Sequence, residues 1–176
     1  MSYKQLFIFV EGNNDERFFE RVVKPKLEEK YNEVKLWKYA QVKDTKIDSF
    51  IKSIKAMKAE YIFVADINNT QCVTAKKQEI QSKFKEIDKN KIIVVVKEIE
   101  SWYLAGLDSA SCKQLKIRCV ENTNSITKEQ FRALIPKKFD SEIDFMLEIL
   151  KLFSIEIAKQ KNMSFRYFFE KYDCKV

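Results

Sequence analysis

Three short runs, Leu6 to Val10, Tyr61 to Ala65 and Ile92 to Val96, are rich in β-branched and aromatic residues and nearly continuous in their hydrophobicity. Such runs suit strands buried on both faces of a parallel sheet, because a strand covered on both sides has no solvent face for polar residues. A fourth run, Val34 to Tyr39, sets Val34, Leu36 and Lys38 against Lys35, Trp37 and Tyr39, and reads as a strand nearer the edge. Helical spacing fills the gaps. Phe18, Phe19, Val22 and Val23 follow the first strand, with Asn13 and Glu16 as a capping pair and Pro25 expected to kink or end the helix early. Ile47, Phe50, Ile51, Ile54 and Met57 make an amphipathic helix from near Asp44, and a more polar helix spans about Thr74 to Ile87.

The order β-α-β-α-β-α-β predicts an α/β domain: a four-stranded, mainly parallel sheet flanked by helices. Beyond Leu107 the strand signals stop. Thr127 to Ile135, Asp140 to Lys159 and Ser164 to Tyr172 read as helices, with Ile143, Met146, Leu147, Leu150 and Phe153 as the apolar stripe of the longest. The expected division is an α/β domain over residues 1–106 and a helical extension over 107–176. No repeat or Gly/Ser-rich linker separates the two.

Composition narrows the chemistry. The 176 residues contain 45% hydrophobic and 13% aromatic side chains, enough for an ordinary globular core. With 33 Lys and Arg against 26 Asp and Glu, the formal charge is +7, a modest balance that favours polyanionic partners. The absence of histidine decides more. It removes Ser-His-Asp and Cys-His catalysis, His-Glu-x-x-His zinc sites and histidine proton shuttles, so chemistry here must run on carboxylates or metals. Cys72, Cys112, Cys119 and Cys174 form no C-x-x-C pair and no secretory leader precedes them, so reduced thiols in a cytoplasm are expected. The apolar runs are too short to span a bilayer, and no membrane association is expected.

The acids fall where an open parallel sheet binds ligands, outside the carboxyl ends of its strands. Glu11 follows the first strand, Asp66 the third, and Glu98 lies just past the fourth, with Glu100 two residues on. If the strands are ordered 2-1-3-4 these carboxylates converge, and converging like charges call for a cation. An all-oxygen set suits Mg²⁺ or Mn²⁺, which keep waters that phosphate oxygens can replace. Glu98 and Glu100 share a face only in an extended segment and diverge by about 200° on a helix. Ile99, Trp102 and Tyr103 at helical spacing leave one of the two acids for the metal. Trp102 and Tyr103 themselves, and the Phe165, Tyr167, Phe168, Phe169 group, read as core.

Gly12 directly follows Glu11 and is one of only two glycines, which marks a sharp turn or a close approach to a ligand. A hydrophobic strand, Glu11-Gly12, and then Asn13-Asn14-Asp15-Glu16-Arg17-Phe18-Phe19 opening a helix resembles the TOPRIM domain of primases, topoisomerases and OLD-family nucleases. Asp66-Ile67-Asn68 stands where that family carries Asp-x-Asp, and Glu98 to Leu104 resembles the acidic-aromatic segment of small stand-alone relatives of the OLD nucleases. The resemblance covers about the first hundred residues. It implies metal-dependent cleavage or transfer of nucleic-acid phosphodiesters, with Glu11 as acid/base or metal ligand and Asp66 as metal ligand. Asp15 matches a further metal-linked position. The departure is Asn68, whose neutral amide can coordinate a hard cation but brings no charge. Gly12, Arg17, Arg21 and Lys97 lie near the expected edge and are the candidates for contact with DNA or RNA. The alternative is a degenerate module of the same kind that binds nucleic acid or a protein partner without catalysis.

Overall fold

The computed structural model describes residues 3–172, so Cys174 lies outside the described residues. The chain divides into two compact units, residues 1–95 and 96–176. The division comes before Glu98 to Leu104, the segment that the sequence reading joined to the sheet domain.

In the first unit, β1 (Gln5–Val10), β2 (Glu33–Lys38), β3 (Glu60–Asp66) and β4 (Ile92–Val95) form one sheet in the order β2-β1-β3-β4. Every pairing is parallel. The fold is therefore α/β with a four-stranded parallel sheet, as the near-continuous strand runs require. The connection from β1 leads outward to β2, whereas the later connections lead the other way. Right-handed crossovers then place α1 (Asn13–Phe18) and its continuation on one face, and α3 (Asp44–Ala56) and α4 (Val73–Lys83) on the other. On that second face Phe7, Phe9, Phe63, Ala65 and Val94 pack with Ile47, Ile51, Ile54 and Ile80. Met57, which the sequence pattern gave to the buried stripe of α3, is exposed.

Pro25 does not end the first helix. A π-helical turn over Phe19–Val23 precedes α2 (Lys24–Leu27), so the proline enters at the first turn of a new helical stretch, where its missing N–H leaves no ladder bond broken. The start of α1 also differs from expectation. The Asp15 carboxylate accepts from the Gly12 N–H at 3.2 Å, while Asn13 and Glu16 both turn to the Lys38 ammonium, at 3.0 and 2.8 Å.

The second unit is helical: α5 (Glu100–Ala105), α6 (Ser109–Leu115), α7 (Lys128–Leu134), α8 (Glu142–Leu152), α9 (Ile155–Lys161) and α10 (Met163–Lys171). Trp102 and Tyr103 are fully buried, with Trp102 edge-on to Phe165 at 5.2 Å and Tyr103 beside Phe131 at 6.2 Å. These contacts explain why α5 counts with the helices rather than with the sheet. The helix expected from Asp140 to Lys159 is two helices, because the chain is extended at Phe153 and Ser154, whose hydroxyl caps α9 at the Ile157 N–H. Its stripe shifts accordingly: Phe145, Met146 and Ile149 are buried and Ile143 is exposed. Gly106 permits the break. A Cβ there would overlap the Phe153 ring, and the Gly106 carbonyl accepts from the Ser154 N–H at 2.9 Å.

Candidate functional site

The switch in connection direction lies between β1 and β3, and their carboxyl ends carry Glu11 and Asp66. Continuing the pairing of Phe9 with Phe63 sets Glu11 across from Ala65, one residue before Asp66. Adjacent strands lie about 4.8 Å apart, so the two acids reach the same crevice from neighbouring strands.

Tyr39 reports that convergence. It follows β2, where its N–H donates to the Val10 carbonyl at 3.0 Å, and its ring stacks on Phe63 at 4.5 Å. The hydroxyl donates to the Val64 carbonyl at 2.7 Å. Burial first, and then the negative charges of Glu11, Asp15 and Asp66, hold this hydroxyl well above the ordinary tyrosine range. It stays a neutral donor to the Val64 carbonyl. Sequence spacing alone did not single Tyr39 out, although its place one step past the β2 residue paired with Val10 was the available signal.

Asp15 is buried, held against the Gly12 N–H from the first turn of α1. One oxygen of Asp66, Oδ1, is shielded from solvent. Gly12 itself is extended, with φ −144°, and a Cβ there would meet only Asp15 Oδ2 at 3.8 Å. No backbone strain demands glycine at this position. A side chain here would make ordinary contact with Asp15.

Asn68 does not continue the strand that ends at Asp66. The chain turns, with Asn68 in the left-handed region at φ 51° and the Thr70 N–H donating to the Ile67 carbonyl at 3.1 Å. Residues two apart share a face only while the chain stays extended. Asn68 instead lines an open pocket of about 540 Å³ with Thr70, Lys76 and Glu79. Glu79 there is held below the usual carboxylate range by hydrogen bonds from Lys76 and Thr70.

The remaining candidates are placed as follows. Arg17 Nη1 donates to the Asn14 side chain at 3.0 Å, and Arg21 is exposed on the π-helical turn. In the second unit, Lys97 is exposed and left-handed at φ 67°. Glu98 accepts from the Lys128 N–H at 2.5 Å, which satisfies a donor in the first turn of α7. Glu100 is buried in the first turn of α5, and its charge bears on Arg132, whose stronger partner is Glu142 at 2.9 Å. Helix α5 begins at Glu100, so Glu98 lies before the helix that the spacing of Ile99, Trp102 and Tyr103 extended to it, and the two acids occupy different environments.

Among the described residues, no group of three or more Asp, Glu, Cys or His side chains closes into a metal cage. No family model, no characterised protein and no solved structure matches the chain.

Proposed function

We propose that this chain is a metal-dependent phosphodiesterase acting on nucleic acid, with its reacting edge at the carboxyl ends of β1 and β3. The observation that supports it is that Glu11 and Asp66 end neighbouring parallel strands at the crevice where such sheets bind ligands, and that with Asp15 they bear their negative charge on the Tyr39 hydroxyl. The motif resemblance to TOPRIM nucleases, at Glu11-Gly12 and Asp66, points the same way.

Mg²⁺ and Mn²⁺ fit such an edge in an open form, held by one or two carboxylates with waters and substrate phosphate completing the shell, and do not require a cage. Glu11 and Asp66 are the ligands in this reading. The bound cation supplies charge stabilisation at phosphorus and an acidified water. Asp15, anchored on Gly12, fixes the start of α1 and adds negative potential that favours a cation. Arg17 and Arg21 on the same helical segment supply cations for phosphate. No helix among the described residues is long and apolar enough to cross a membrane, and the reading places the activity in a cytoplasm on nucleic acid.

Cleavage of labelled single-stranded DNA, duplex DNA and RNA with Mg²⁺ or Mn²⁺ tests the proposal. Wild type should cleave, and Glu11→Ala and Asp66→Ala should each lose at least about 100-fold in rate. Equal rates in the three proteins, or cleavage indifferent to chelator, would reject it.

A second reading is favoured by the turn at Asn68 and by the lack of a three-donor group among the described residues. Here the unit binds nucleic acid or a protein partner without cutting. It predicts nucleic-acid binding that survives Glu11→Ala and falls steeply with salt. Calorimetric titration with Mn²⁺ separates the two, since only the enzyme requires binding that Glu11→Ala and Asp66→Ala abolish.

A further inference from the structure

A polar pocket that the proposed reaction leaves unused opens beyond β3. Asn68, Asn69, Thr70 and Gln71 line it from the loop after Asp66, and Ala75, Lys76 and Glu79 line it from α4. Its volume of about 540 Å³ falls in the range of small-molecule sites. The loop is tied down at both of its sides. The Ile67 N–H donates to the Val95 carbonyl at 2.9 Å, and the Thr70 hydroxyl donates to Glu79 Oε2 at 3.1 Å. Lys76, buried in α4, donates to the other oxygen of Glu79 at 3.2 Å.

Lys76 and Glu79 are the only ionised groups that line the pocket among the described residues, and they pair with one another, so the pocket carries no net charge. Walls of that kind do not select a free phosphate. They offer instead the amides of Asn68, Asn69 and Gln71, which are exposed and make no side-chain hydrogen bond to another described residue. Each amide presents a donor and an acceptor, the pattern that the edge of a nucleobase complements. No aromatic ring lines the pocket among the described residues, so it supplies hydrogen bonds to a base edge rather than a stacking platform. A base enters a pocket only when it is unpaired or splayed out of its stack. The position fits as well, because Asn68 follows Asp66 by two residues, at most about 7 Å along the chain.

We propose that this pocket takes one unpaired nucleobase of the substrate strand, the base next to the phosphodiester held at Asp66, so that the preferred substrate is single-stranded. The inference rests on the phosphodiesterase reading for the path of the strand. Asn68, Asn69 and Gln71 bond the base edge, and the Thr70–Glu79–Lys76 bonds hold the loop in place for it.

The test is equilibrium binding of the full chain, in chelator at about 0.15 M salt, to three probes: a mixed-sequence single-stranded DNA dodecamer, an abasic strand of the same length, and the matching duplex. Wild type should bind the base-bearing strand at least about 10-fold more tightly than either of the others. Asn68→Gly keeps the left-handed backbone while removing the amide. This variant, Asn69→Ala and Gln71→Ala should each weaken binding of the base-bearing strand by roughly 3- to 10-fold and leave the abasic strand unchanged. A general change of charge or fold would move both strands together. Equal affinity for base-bearing and abasic strands, tighter binding of the duplex, or equal losses on both strands in the variants would overturn the proposal. The chelator separates its failure from that of the phosphodiesterase reading. Base discrimination without any Mg²⁺- or Mn²⁺-dependent cleavage rejects the enzyme and retains the base pocket, whereas cleavage lost in Glu11→Ala and Asp66→Ala without base discrimination does the reverse.

Discussion

The two units use carboxylates in opposite ways. In the first, Glu11 and Asp66 at strand ends and Asp15 in the first turn of α1 all bear their negative charge on one tyrosine hydroxyl, an arrangement that concentrates like charge. In the second, two acids accept from helix starts: Glu98 from the Lys128 N–H and Asp108 from the Ser111 N–H at 2.7 Å. Each such bond satisfies a donor that a helix leaves open in its first turn. The polar interiors differ in the same sense. The helical unit is joined by Asn162, whose amide donates to Thr123 at 3.1 Å and to Ser101 at 3.4 Å and accepts from Ser164 at 2.9 Å. Ser164 in turn accepts from the Trp102 indole at 2.8 Å. Helices of six to eleven residues have little cooperative stability of their own, so side-chain bonds between them fix their packing. The parallel sheet obtains the equivalent order from its backbone ladder.

This contrast is strongest if Asn162→Ala proves costly. The substitution leaves buried hydroxyls of Thr123 and Ser164 short of partners and removes the cap that Asn162 makes to the Phe165 N–H at 3.0 Å. Urea unfolding should show a loss of about 3 kcal/mol. A loss under about 1 kcal/mol would mean that apolar packing alone organises the helices.

The acids offer a direct comparison. Glu98→Ala should cost about 1 kcal/mol of stability, as removal of a helix-start acceptor does. Glu11→Ala and Asp66→Ala should leave the unfolding midpoint unchanged or raise it slightly, because each removes one of several like charges. Midpoints ordered the other way would show that the strand-end acids are structural.

The smallest expected effect concerns pH. Hydrogen bonds from Ser111 hold Asp108 below the usual carboxylate range, so its contribution is present above its unfolded pKa and is lost as pH falls through the lowered folded value. Tyr39 has the opposite sign. Its folded pKa is raised, so the associated stability is complete below its ordinary value of 10.0 and is lost as pH rises beyond it. Asp108→Asn should therefore flatten the acid limb of a stability profile, and Tyr39→Phe the alkaline limb. If Tyr39→Phe leaves the alkaline limb unchanged, neither burial nor the acids hold that hydroxyl above its ordinary range.

The strands, their parallel pairing and the acids at their ends were legible in the sequence because each rests on short-range information. Continuous apolar runs mean two-sided burial, alternating ones mean an edge, and an acid directly after a strand must sit at the sheet's carboxyl edge. From the sequence, the convergence of Glu11 and Asp66 stood on the condition of a 2-1-3-4 strand order, which is the order the sheet has.

Tertiary contacts decided the rest. Whether Glu98 belongs to a crevice or to the start of α7 depends on a partner thirty residues away. Pro25 ends nothing because a π-helical turn precedes it. Gly106 matters because Phe153 approaches it, whereas Gly12 is in an extended conformation that any residue adopts. Asn68 leaves the strand because the chain turns at φ 51° after Asp66, and Tyr39 gains its role only when three segments close around it. Periodicity encodes which side of an element is buried, but the partner a polar group meets is set by three-dimensional proximity, which spacing along the chain does not carry.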